Sequence, residues 1–347
     1  MEKSLRVRFL DHKQKKSNKW TLYTYEWDRI FSGFRHLPVN IFEIGIQNGG
    51  SLEIWAKYFS NAKRIVGCDI DEKCKDLVFN DPRITVFIGD ANSNDMHKRI
   101  IECSPIFDII IDDGSHRSGD VIQSFGRYFQ HLQYEGIYVI EDIHSGYWQD
   151  FEDSLFDPRS SIAFLKSITD LRNHEHWRNN QSRADFPSEF GKEYNVIFSE
   201  ADLCDIHSIE FLNSLSILTK CKPDRNVLGK RIVVGQDENV TRELELVNGS
   251  SIHDMNFQIN EDSDLNIWNL IRKAQYIEQE NDNLRREIVE KDQEHELKQK
   301  RLREVNSQLE KIVESTNKEI AEYHNSISWK TTKPFRWVEK KLRKKNV

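Results

Sequence analysis

The sequence predicts an α/β fold in which a doubly wound, mostly parallel sheet ends in an antiparallel hairpin and is followed by a long helical coiled coil. Short runs rich in valine and isoleucine alternate with amphipathic stretches over residues 39–142. Two further apolar runs flank a short turn at 212–214, and a seven-residue apolar repeat begins near residue 265. Continuous apolar runs are typical of strands that are buried on both faces and need helices on each side.

Five apolar runs are expected to form the parallel strands, and an amphipathic stretch follows each of the first four. The strands are expected at 39–46, 64–69, 84–88, 107–112 and 136–140. The helices between them are expected at 51–59, 71–79, 94–101 and 120–132. The closing hairpin is expected at 206–211 and 215–220, with a weaker third run at 231–234. This alternation of strand and helix predicts a parallel sheet that helices cover.

The composition divides the chain into five segments. Residues 1–38 form a polar and aromatic lead-in that we expect to be partly helical and to cover the functional site as a lid. The sheet domain is expected at 39–235, a linker at 236–264, the coiled coil at 265–327 and a basic, aromatic tail at 328–347. Residues 143–205, rich in aromatic, His and Asn side chains, are expected to form substrate-binding loops.

Composition and charge exclude several classes of protein. The 37% of hydrophobic residues can build a substantial core, whereas 31% of charged residues requires a long solvated segment. A net charge of −7 argues against a general nucleic-acid binder. The five cysteines form no Cys-x-x-Cys pair, so a zinc site or a disulfide framework is not expected and a reducing cytoplasm is. The sequence shows neither a signal peptide nor an apolar run of about 18 residues, the length that spans a membrane.

The seven-residue repeat predicts a coiled coil that joins copies of this chain. One core position is occupied by Ala274, Asn281, Ile288, His295, Leu302, Leu309, Thr316 and Tyr323. The other core position is occupied by Leu270, Ile277, Leu284, Lys291, Lys298, Val305, Ile312 and Glu319. A core asparagine favours a two-stranded coiled coil. The polar middle of the repeat leaves a solvated single helix as the alternative.

The tail interleaves aromatic and basic side chains. Trp329, Phe335, Trp337 and Leu342 lie among eight Lys and Arg residues and a single acidic residue, Glu339. This composition suits the inner surface of a membrane, where each basic residue contributes about 1 kcal/mol. A disordered basic end is an equally good interpretation of the same residues.

A glycine-rich loop at 42–51 follows the first strand and indicates S-adenosylmethionine (SAM) binding. Gly45 and Gly49 let the backbone approach a ligand closely. The loop lacks Gly-x-Gly-x-x-Gly, and Glu43 would repel phosphate but suits the cationic sulfonium and amino group of SAM. The candidate cofactor-binding residues of the loop are Glu43, Gly45, Gln47, Asn48, Gly49 and Ser51.

Acidic residues at the ends of later strands extend the candidate cofactor site. Asp69 follows the second strand, where its carboxylate can accept both ribose hydroxyls, and Asp90 follows the third, near the adenine. Asp112 is also a candidate here, although it is the one best suited to a structural role. A single acidic residue at a strand end is more often a helix cap. The ordered series after successive strands is what favours the cofactor.

Two acidic clusters end the fourth and fifth strands and predict a metal site. If the two strands are neighbours, Asp113, Glu141 and Asp142 converge. Three neighbouring carboxylates require either a compensating cation or raised pKa values. Oxygen ligands favour Mg²⁺, with Mn²⁺ or Ca²⁺ as alternatives. The alternative is that Asp112 and Asp142 are structural caps.

A histidine beside the first acidic cluster is the candidate general base. His116 follows three residues after Asp113, and an imidazole can remove a proton from a hydroxyl at physiological pH. The alternative is a loop histidine without a catalytic role. His144, Tyr147 and Trp148 are candidates for stacking on an acceptor, with core packing or a lid hinge as the alternative.

Three motifs together resemble the macrolide-sugar O-methyltransferases of the mycinamicin and macrocin type. They are Glu-Ile-Gly-Ile-Gln-Asn-Gly-Gly-Ser, Ile-Asp-Asp-Gly-Ser-His, and Gly-Ile-Tyr-Val-Ile-Glu-Asp-Ile-His-Ser-Gly-Tyr-Trp. They also resemble proteins labelled cephalosporin hydroxylase or rhamnosyl O-methyltransferase. The resemblance covers roughly residues 15–235 and implies a Rossmann-like class I methyltransferase that uses SAM and Mg²⁺. It places the metal ligands on Asp113, Glu141 and Asp142, the base on His116 and the ribose-binding acid on Asp69.

Two departures from this family bear on the substrate. The lead-in motif Asp-Lys…His-Tyr of the macrolide enzymes appears here only as Ser17-Asn18-Lys19-Trp20…Tyr23, so acceptor recognition is expected to differ. The tail motif at 326–336 is similar to one in bacterial surface-polysaccharide glycosyltransferases. That similarity implies an O-antigen or capsule glycan as acceptor and a polysaccharide-synthesis complex, at the inner face of the membrane, as partner.

The sequence therefore predicts a cytoplasmic, metal-dependent SAM O-methyltransferase that acts on a sugar hydroxyl of a surface glycan or its precursor. One alternative keeps the chemistry and moves the acceptor to a glycosylated natural product or a lipid-linked intermediate. Another makes the chain a non-catalytic scaffold whose coiled coil tethers a polysaccharide assembly complex. A nicotinamide dehydrogenase is disfavoured because the dinucleotide motif is missing.

Overall fold

The structure is a computed structural model that describes residues 3–237, 239–254 and 263–325, together with 330–332, 336–337 and 340–341 of the tail. The chain divides into two compact units, Met1–Arg272 and Lys273–Val347.

The first unit contains a mixed sheet whose strands lie close to their expected positions. They are β1 (Asn40–Ile44), β2 (Arg64–Asp69), β3 (Ile84–Ile88), β4 (Phe107–Asp112), β5 (Leu132–Ile140), β6 (Ile206–Leu212) and β7 (Leu215–Lys220). Within the described part of the chain their order is β3-β2-β1-β4-β5-β7-β6. Strands β1 to β5 run parallel, and β7 pairs antiparallel with both β5 and β6. The predicted fold is confirmed.

Helices precede the sheet, connect its strands and follow it. They are α1 (Leu5–Leu10), α2 (Thr21–Phe31), α3 (Gly50–Tyr58), α4 (Asn94–Cys103), α5 (Ser118–Tyr128), α6 (Ser161–Arg172), α7 (Ser188–Glu193), α8 (Glu200–Asp205) and α9 (Ser263–Asn325). Two expected elements differ. A helix was expected at 71–79, but the structure has only a short 3₁₀ turn, Glu72–Asp76, after which Leu77 is extended. The run at 231–234 makes no strand, since only Lys230 and Ser251 form a bridge there.

Side chains pack on both faces of the sheet, as its continuous apolar strands require. One cluster joins α4, α5 and α6 to one face, and the other joins α2 and α3 to the opposite face. In the second cluster the rings of Trp27 and Trp55 lie edge to face at 5.1 Å, and Phe31 packs against Trp55 at 5.8 Å. Each such pair contributes about 0.5–1.5 kcal/mol beyond the burial of its area. Helix α2 of the lead-in is therefore part of the core.

The carboxyl ends of β1, β4 and β5 meet at one edge of the sheet. Ile44 pairs with Asp112, and Asp112 pairs with Ile140. The ladder continues one residue further, because Asp113 N donates to the oxygen of Ile44 and Glu141 N to that of Asp112, both at 2.9 Å. The residues that follow β4 and β5 are thus neighbours, as the metal-site hypothesis requires.

The second unit consists largely of the C-terminal part of α9. Apolar side chains of the predicted repeat are exposed along it: Ile277, Leu284, Ile288, Leu302, Val305, Leu309 and Ile312. In the polar middle, Lys291 pairs with Glu287 and Lys298 with Glu294, each at 2.7 Å within the helix. The predicted helix is present, and its pairing with another copy stays a prediction.

Two sequence-based expectations concern membranes. Across the ranges that the structure describes, no helix combines the length and the apolar character needed to cross a bilayer. In the tail, the Lys341 ammonium lies 4.1 Å from the ring centre of the exposed Trp337. The tail's Trp329, Phe335, Glu339 and Leu342 lie outside the described residues.

Candidate functional site

The loop after β1 runs very close to the end of β4. Gly45 has φ +82°, and a Cβ there would overlap the backbone carbonyl of Asp113. Gly49, with φ +74°, begins α3 in a left-handed conformation, and a Cβ on it would meet the ring of Phe79. Gln47 is also left-handed, with φ +45°. The glycines are required here by backbone approach and by conformation.

Asp69 fixes the shape of this loop. Its Oδ2 accepts hydrogen bonds from the backbone N of Ile46 and of Gln47, at 2.9 and 2.8 Å, and its Oδ1 accepts one from Asp71 N at 2.9 Å. Each carboxylate oxygen has two lone pairs, so the group can still accept further donors. The carboxylate assigned to the ribose thus also organises the loop that the cofactor would approach.

Glu43 lies inside the protein beneath the loop. Its Oε2 accepts a hydrogen bond from Trp55 Nε1 at 2.9 Å. Burial raises the pKa of Glu43 to about 7, although the nearby Lys19 ammonium opposes that shift. The sequence places this negative charge beside the loop as a partner for SAM, and in the structure Glu43 Oε1 lies 3.8 Å from Lys19 Nζ.

The remaining candidate cofactor residues lie in different surroundings. Asn48 is exposed at the tip of the loop. Asp90 is exposed, and its Oδ1 accepts a hydrogen bond from Asn92 N at 2.8 Å in the turn after β3. Asp112 is buried, and burial raises its pKa to about 7 against hydrogen bonds from Gly114 and Ser124. The burial of Asp112 fits the structural role that the sequence left open for it.

The ammonium of Lys19 lies between two of the predicted metal ligands. Its Nζ is 2.6 Å from Asp113 Oδ2 and 2.6 Å from Glu141 Oε2, and the Lys19 side chain is only 3% exposed. Burial lowers the pKa of Lys19, but attraction to Glu141, Asp113 and Glu43 outweighs this and raises it above the ordinary value. Burial raises the pKa of Glu141, and Lys19 opposes the shift.

Sequence reasoning missed this role of Lys19. It noted the residue only as part of a divergent lead-in motif. Several other lysines occur in the same stretch, and nothing in the spacing distinguishes one of them as buried. The acidic clusters could have indicated a buried basic residue, because several neighbouring carboxylates require a compensating positive charge.

The lead-in also holds the third predicted ligand. Asp142 Oδ1 accepts hydrogen bonds from Trp20 Nε1 at 2.8 Å and from Tyr23 OH at 2.7 Å. Asp142 Oδ2 faces His116 Nε2 at 3.6 Å. Both Asp142 and His116 have left-handed backbones, with φ +54° and +60°. Strained residues of this kind are concentrated at functional sites.

His116 is placed to act as a base. Its side chain is 20% exposed, so a substrate proton can reach it. Burial lowers the pKa of His116, while Asp113 and Asp142 oppose that shift. The imidazole is therefore largely neutral at physiological pH and can accept a proton. Ser145 Oγ holds the backbone by donating to the oxygen of His116 at 2.7 Å.

Aromatic side chains surround the opening beside His116. The ring of His144 lies 4.5 Å from that of Trp148 and 6.0 Å from that of Trp20, and Phe151 lies 6.3 Å from His116. His144 Nδ1 also contacts Ser214 Oγ. Tyr147, by contrast, packs against the core, 6.3 Å from Phe156. His144 and Trp148 thus line the site, with Trp20 and Phe151 as additions that the sequence did not single out.

The donor atoms at the strand ends suit a hard divalent cation. Asp113, His116 and Asp142 each offer one ligand atom, and these atoms lie within 4.8 Å of one another. Glu141 Oε1 is buried without a hydrogen-bond partner in the structure. A buried, unpartnered carboxylate oxygen is costly, but among the described residues the predicted ligand Glu141 is not one of the group whose ligand atoms lie within 4.8 Å of one another. Carboxylate oxygens fit Mg²⁺ or Mn²⁺, and the imidazole of His116 beside them is then left free to act as the base.

Comparisons with known proteins identify sugar O-methyltransferases as relatives. Over 186 residues the chain is 32% identical to 8-demethyl-8-alpha-L-rhamnosyl tetracenomycin-C 2'-O-methyltransferase of Streptomyces olivaceus, across 51% of this chain and 46% of that protein. It is 34% identical to mycinamicin VI 2''-O-methyltransferase of Micromonospora griseorubida, across 47% and 42%. It is 35% identical to demethylmacrocin O-methyltransferase of Streptomyces fradiae, across 44% and 40%. The chain thus spans less than half the length of these curated relatives.

Solved structures of a methyltransferase have the same fold. MycE methyltransferase from the mycinamycin biosynthetic pathway, in complex with Mg, SAH and mycinamycin VI, matches with a TM-score of 0.51 and 26% identity, across 64% of this chain and 56% of that one. A second crystal form, with Mg and SAH, matches with a TM-score of 0.53, across 71% and 59%. No family model matches the chain.

Proposed function

We propose that this chain is a SAM-dependent, divalent-metal-dependent O-methyltransferase that acts on a sugar hydroxyl of a glycoside. The observation that carries the proposal is the convergence of Asp113, His116 and Asp142 at adjacent strand ends, with their ligand atoms within 4.8 Å of one another. The glycine loop that would hold SAM crosses the same edge of the sheet, where Gly45 approaches Asp113. The relatives named above are sugar O-methyltransferases, which supports this chemistry.

Each group at the site has a part in this reaction. The acidic strand ends, Asp113, Glu141 and Asp142, would hold the cation, which supplies positive charge that stabilises a forming alkoxide. His116 removes the proton of the acceptor hydroxyl. The hydroxyl oxygen then bonds to the methyl carbon of SAM as the bond from carbon to sulfur breaks. The products are a methyl ether, S-adenosylhomocysteine and a proton on His116.

The cofactor would lie along the ends of β1, β2 and β3. Gly45 and Gly49 lie in the loop that the cofactor would approach, and Asp69 fixes that loop by accepting a hydrogen bond from the backbone N of Ile46. Asp69 and the exposed Asp90 would accept hydrogen bonds from its ribose and adenine. Glu43 would affect the cofactor indirectly, through its contacts with Lys19 and Trp55.

The proposed acceptor is a glycosylated small molecule. Aromatic faces stack on the apolar side of sugar rings, and His144, Trp148 and Trp20 present such faces beside His116. The named relatives act on glycosylated natural products. They do not support the surface-polysaccharide acceptor that the tail motif implied, which is why the glycoside is preferred here.

The experiment that tests the function is a transfer assay with methyl-labelled SAM. The full chain would be incubated with labelled SAM, Mg²⁺ and, separately, rhamnosyl glycosides and bacterial glycan extracts, and the label would be located by mass spectrometry. Label on a sugar oxygen of a glycoside supports the proposal. Label on the glycan alone moves the acceptor to a polysaccharide. SAM binding without transfer to either acceptor contradicts the proposal.

We also propose that α9 pairs with α9 of a second copy in a two-stranded coiled coil. Its exposed apolar side chains recur at the two core positions, from Ile277 to Ile288 and again from Leu302 to Ile312. Burying such side chains against a partner contributes about 25 cal/mol per Å² of apolar surface. In the charged stretch between them, Lys291 and Lys298 form ion pairs within the same helix, with Glu287 and Glu294 respectively.

A further inference from the structure

Side chains of the lead-in contact the predicted metal ligands directly. Lys19 donates to one oxygen of Asp113, Oδ2, and to one oxygen of Glu141, Oε2, both at 2.6 Å. These residues lie 94 and 122 positions away along the chain. The Lys19 side chain is only 3% exposed, so its ammonium makes these two contacts while largely desolvated. Such burial is costly unless both partners remain in place.

Two neutral donors of the same segment hold Asp142 by hydrogen bonds. Trp20 Nε1 and Tyr23 OH both donate to Asp142 Oδ1, at 2.8 and 2.7 Å. Tyr23 is itself fixed, because its OH also contacts Ser214, with the backbone oxygen of Ser214 at 2.8 Å. Asp142 N lies 3.1 Å from the same hydroxyl. The side chain of Asp142 therefore has one of its oxygens tied to the lead-in.

One oxygen of each of the three carboxylates is thus held by the lead-in. Among the residues that the structure describes, Glu141 Oε1 is buried without a hydrogen-bond partner, and Asp142 Oδ2 faces His116. We propose that Lys19, Trp20 and Tyr23 are positioning residues of the metal site, which fix the orientation of Asp113, Glu141 and Asp142 before a cation binds. This inference rests on the proposed function, because it assigns the same carboxylates to the same cation.

The lead-in is anchored independently of these carboxylates. Glu53 of α3 accepts hydrogen bonds from Lys15, at 3.1 Å from its backbone N and 2.8 Å from its Nζ. His12 Nε2 lies 3.2 Å from the same carboxylate. The backbone carbonyls of Lys15 and Lys16 pass so close to Gly50 that a Cβ there would overlap them. A segment held in this way acts as a fixed template for the carboxylates.

The charges at the site leave room for a cation beside Lys19. Glu43, Asp113 and Glu141 all lie within 4 Å of a single ammonium, and Asp142 adds a fourth carboxylate next to them. One ammonium cannot neutralise more than one ionised carboxylate, and a divalent cation would supply the further positive charge that such a cluster needs. Lys19 and the metal therefore act together, and the ammonium does not substitute for the ion.

The test measures Mn²⁺ binding to the full chain, without SAM, by electron paramagnetic resonance. Removal of a positive charge would by itself tighten the binding of a cation. The positioning role predicts the opposite for Lys19→Met: binding weaker by about tenfold or more, the loss that follows from one hydrogen bond to a charged group. Lys19→Arg should recover part of the affinity. Trp20→Phe should also weaken binding, with no change in charge.

The matched control is Lys16→Met, which removes an exposed lysine of the same segment. It should leave Mn²⁺ affinity unchanged, and the melting temperature of each variant shows that the fold is retained. Tighter or unchanged binding in Lys19→Met overturns the positioning role. If that variant fails to fold, unchanged binding in Trp20→Phe overturns the role just as well. A wild-type chain that binds no Mn²⁺ instead removes the metal from the proposed function.

Discussion

His116 and Asp142 face each other across the ends of two neighbouring strands, with Nε2 of the histidine 3.6 Å from Oδ2 of the aspartate. Both have positive φ, which costs a residue other than glycine of order 1–3 kcal/mol. The surrounding contacts hold them there: Ser145 bonds to the carbonyl of His116, and Tyr23 lies within hydrogen-bond distance of Asp142 N. The strained pair brings the proposed base and a proposed metal-binding carboxylate to one place.

Removal of the imidazole should stop the reaction and leave the cofactor site intact. We expect His116→Asn to lower methyl transfer by about 10²–10⁴-fold, the usual contribution of a general base. Asparagine is the better replacement because it tolerates the left-handed backbone. SAM affinity, measured by calorimetry, should stay within experimental error of the wild-type value. Transfer at the wild-type rate would show that another group takes the proton.

Gly45 should not tolerate a side chain. In Gly45→Ala the new methyl group would overlap the carbonyl of Asp113, and the backbone has φ +82°. The end of β4 must then move, so we expect both SAM binding and Mg²⁺ binding to be lost and the melting temperature to fall. Gly33→Ala is the matched control, because among the described residues no atom beyond its chain neighbours and its own helix backbone lies within 4 Å of the position that its Cβ would take. Normal ligand binding by Gly45→Ala would contradict the close approach.

The pairing of α9 can be tested by mass. Leu309→Ser together with Ile312→Ser removes adjacent core positions of the predicted repeat, while Glu314→Ser changes the opposite face of the same turn. The chain mass is 41.1 kDa. Light scattering should therefore give the mass of a dimer, twice that value, for the wild type and Glu314→Ser, and the mass of a monomer for the double variant. A monomeric wild type would favour the solvated single helix.

His97 makes the fold sensitive to mild acid. Its Nε2 lies 3.2 Å from Nε2 of His131, and burial lowers its pKa from 6.5 to about 4. Between these values the unfolded chain binds the proton and the folded chain does not, so stability is lost as pH falls from about 6.5 to about 4. His97→Gln should show a smaller fall in melting temperature between pH 7 and pH 5. An equal fall in that variant would assign the sensitivity to other groups, and His253→Gln, at an exposed site, controls for loss of a histidine.

Much of the sheet could be predicted because its information is local. Strands β2, β3 and β4 begin and end at the expected residues, since each is a continuous apolar run bounded by polar residues. The helix expected at 71–79 was wrong: the apolar residues of this segment are spaced as in a helix, but Leu77 is extended. Asp81-Pro82 lies just beyond, and a residue before proline disfavours the helical conformation.

The candidate site was predictable only in part, because some of its contacts join residues that are far apart in the sequence. Asp113, Glu141 and Asp142 follow strands that any parallel sheet brings to one edge. Lys19 reaches them from 94 and 122 residues away, and no periodicity in the sequence reports a contact of that length. The direction of Glu43 depended on Lys19 and Trp55 as well, so it could not be inferred from the loop motif alone.

The central claim is that carboxylates at two strand ends hold a cation that the methyl transfer needs. Its most direct test is transfer from labelled SAM to a rhamnosyl glycoside after treatment with EDTA, before and after Mg²⁺ is restored, in the wild type and in Asp113→Asn. We predict that EDTA stops transfer, that Mg²⁺ restores it in the wild type, and that the same Mg²⁺ concentration does not restore it in the variant. Full transfer in EDTA, or full recovery in Asp113→Asn, would contradict the claim.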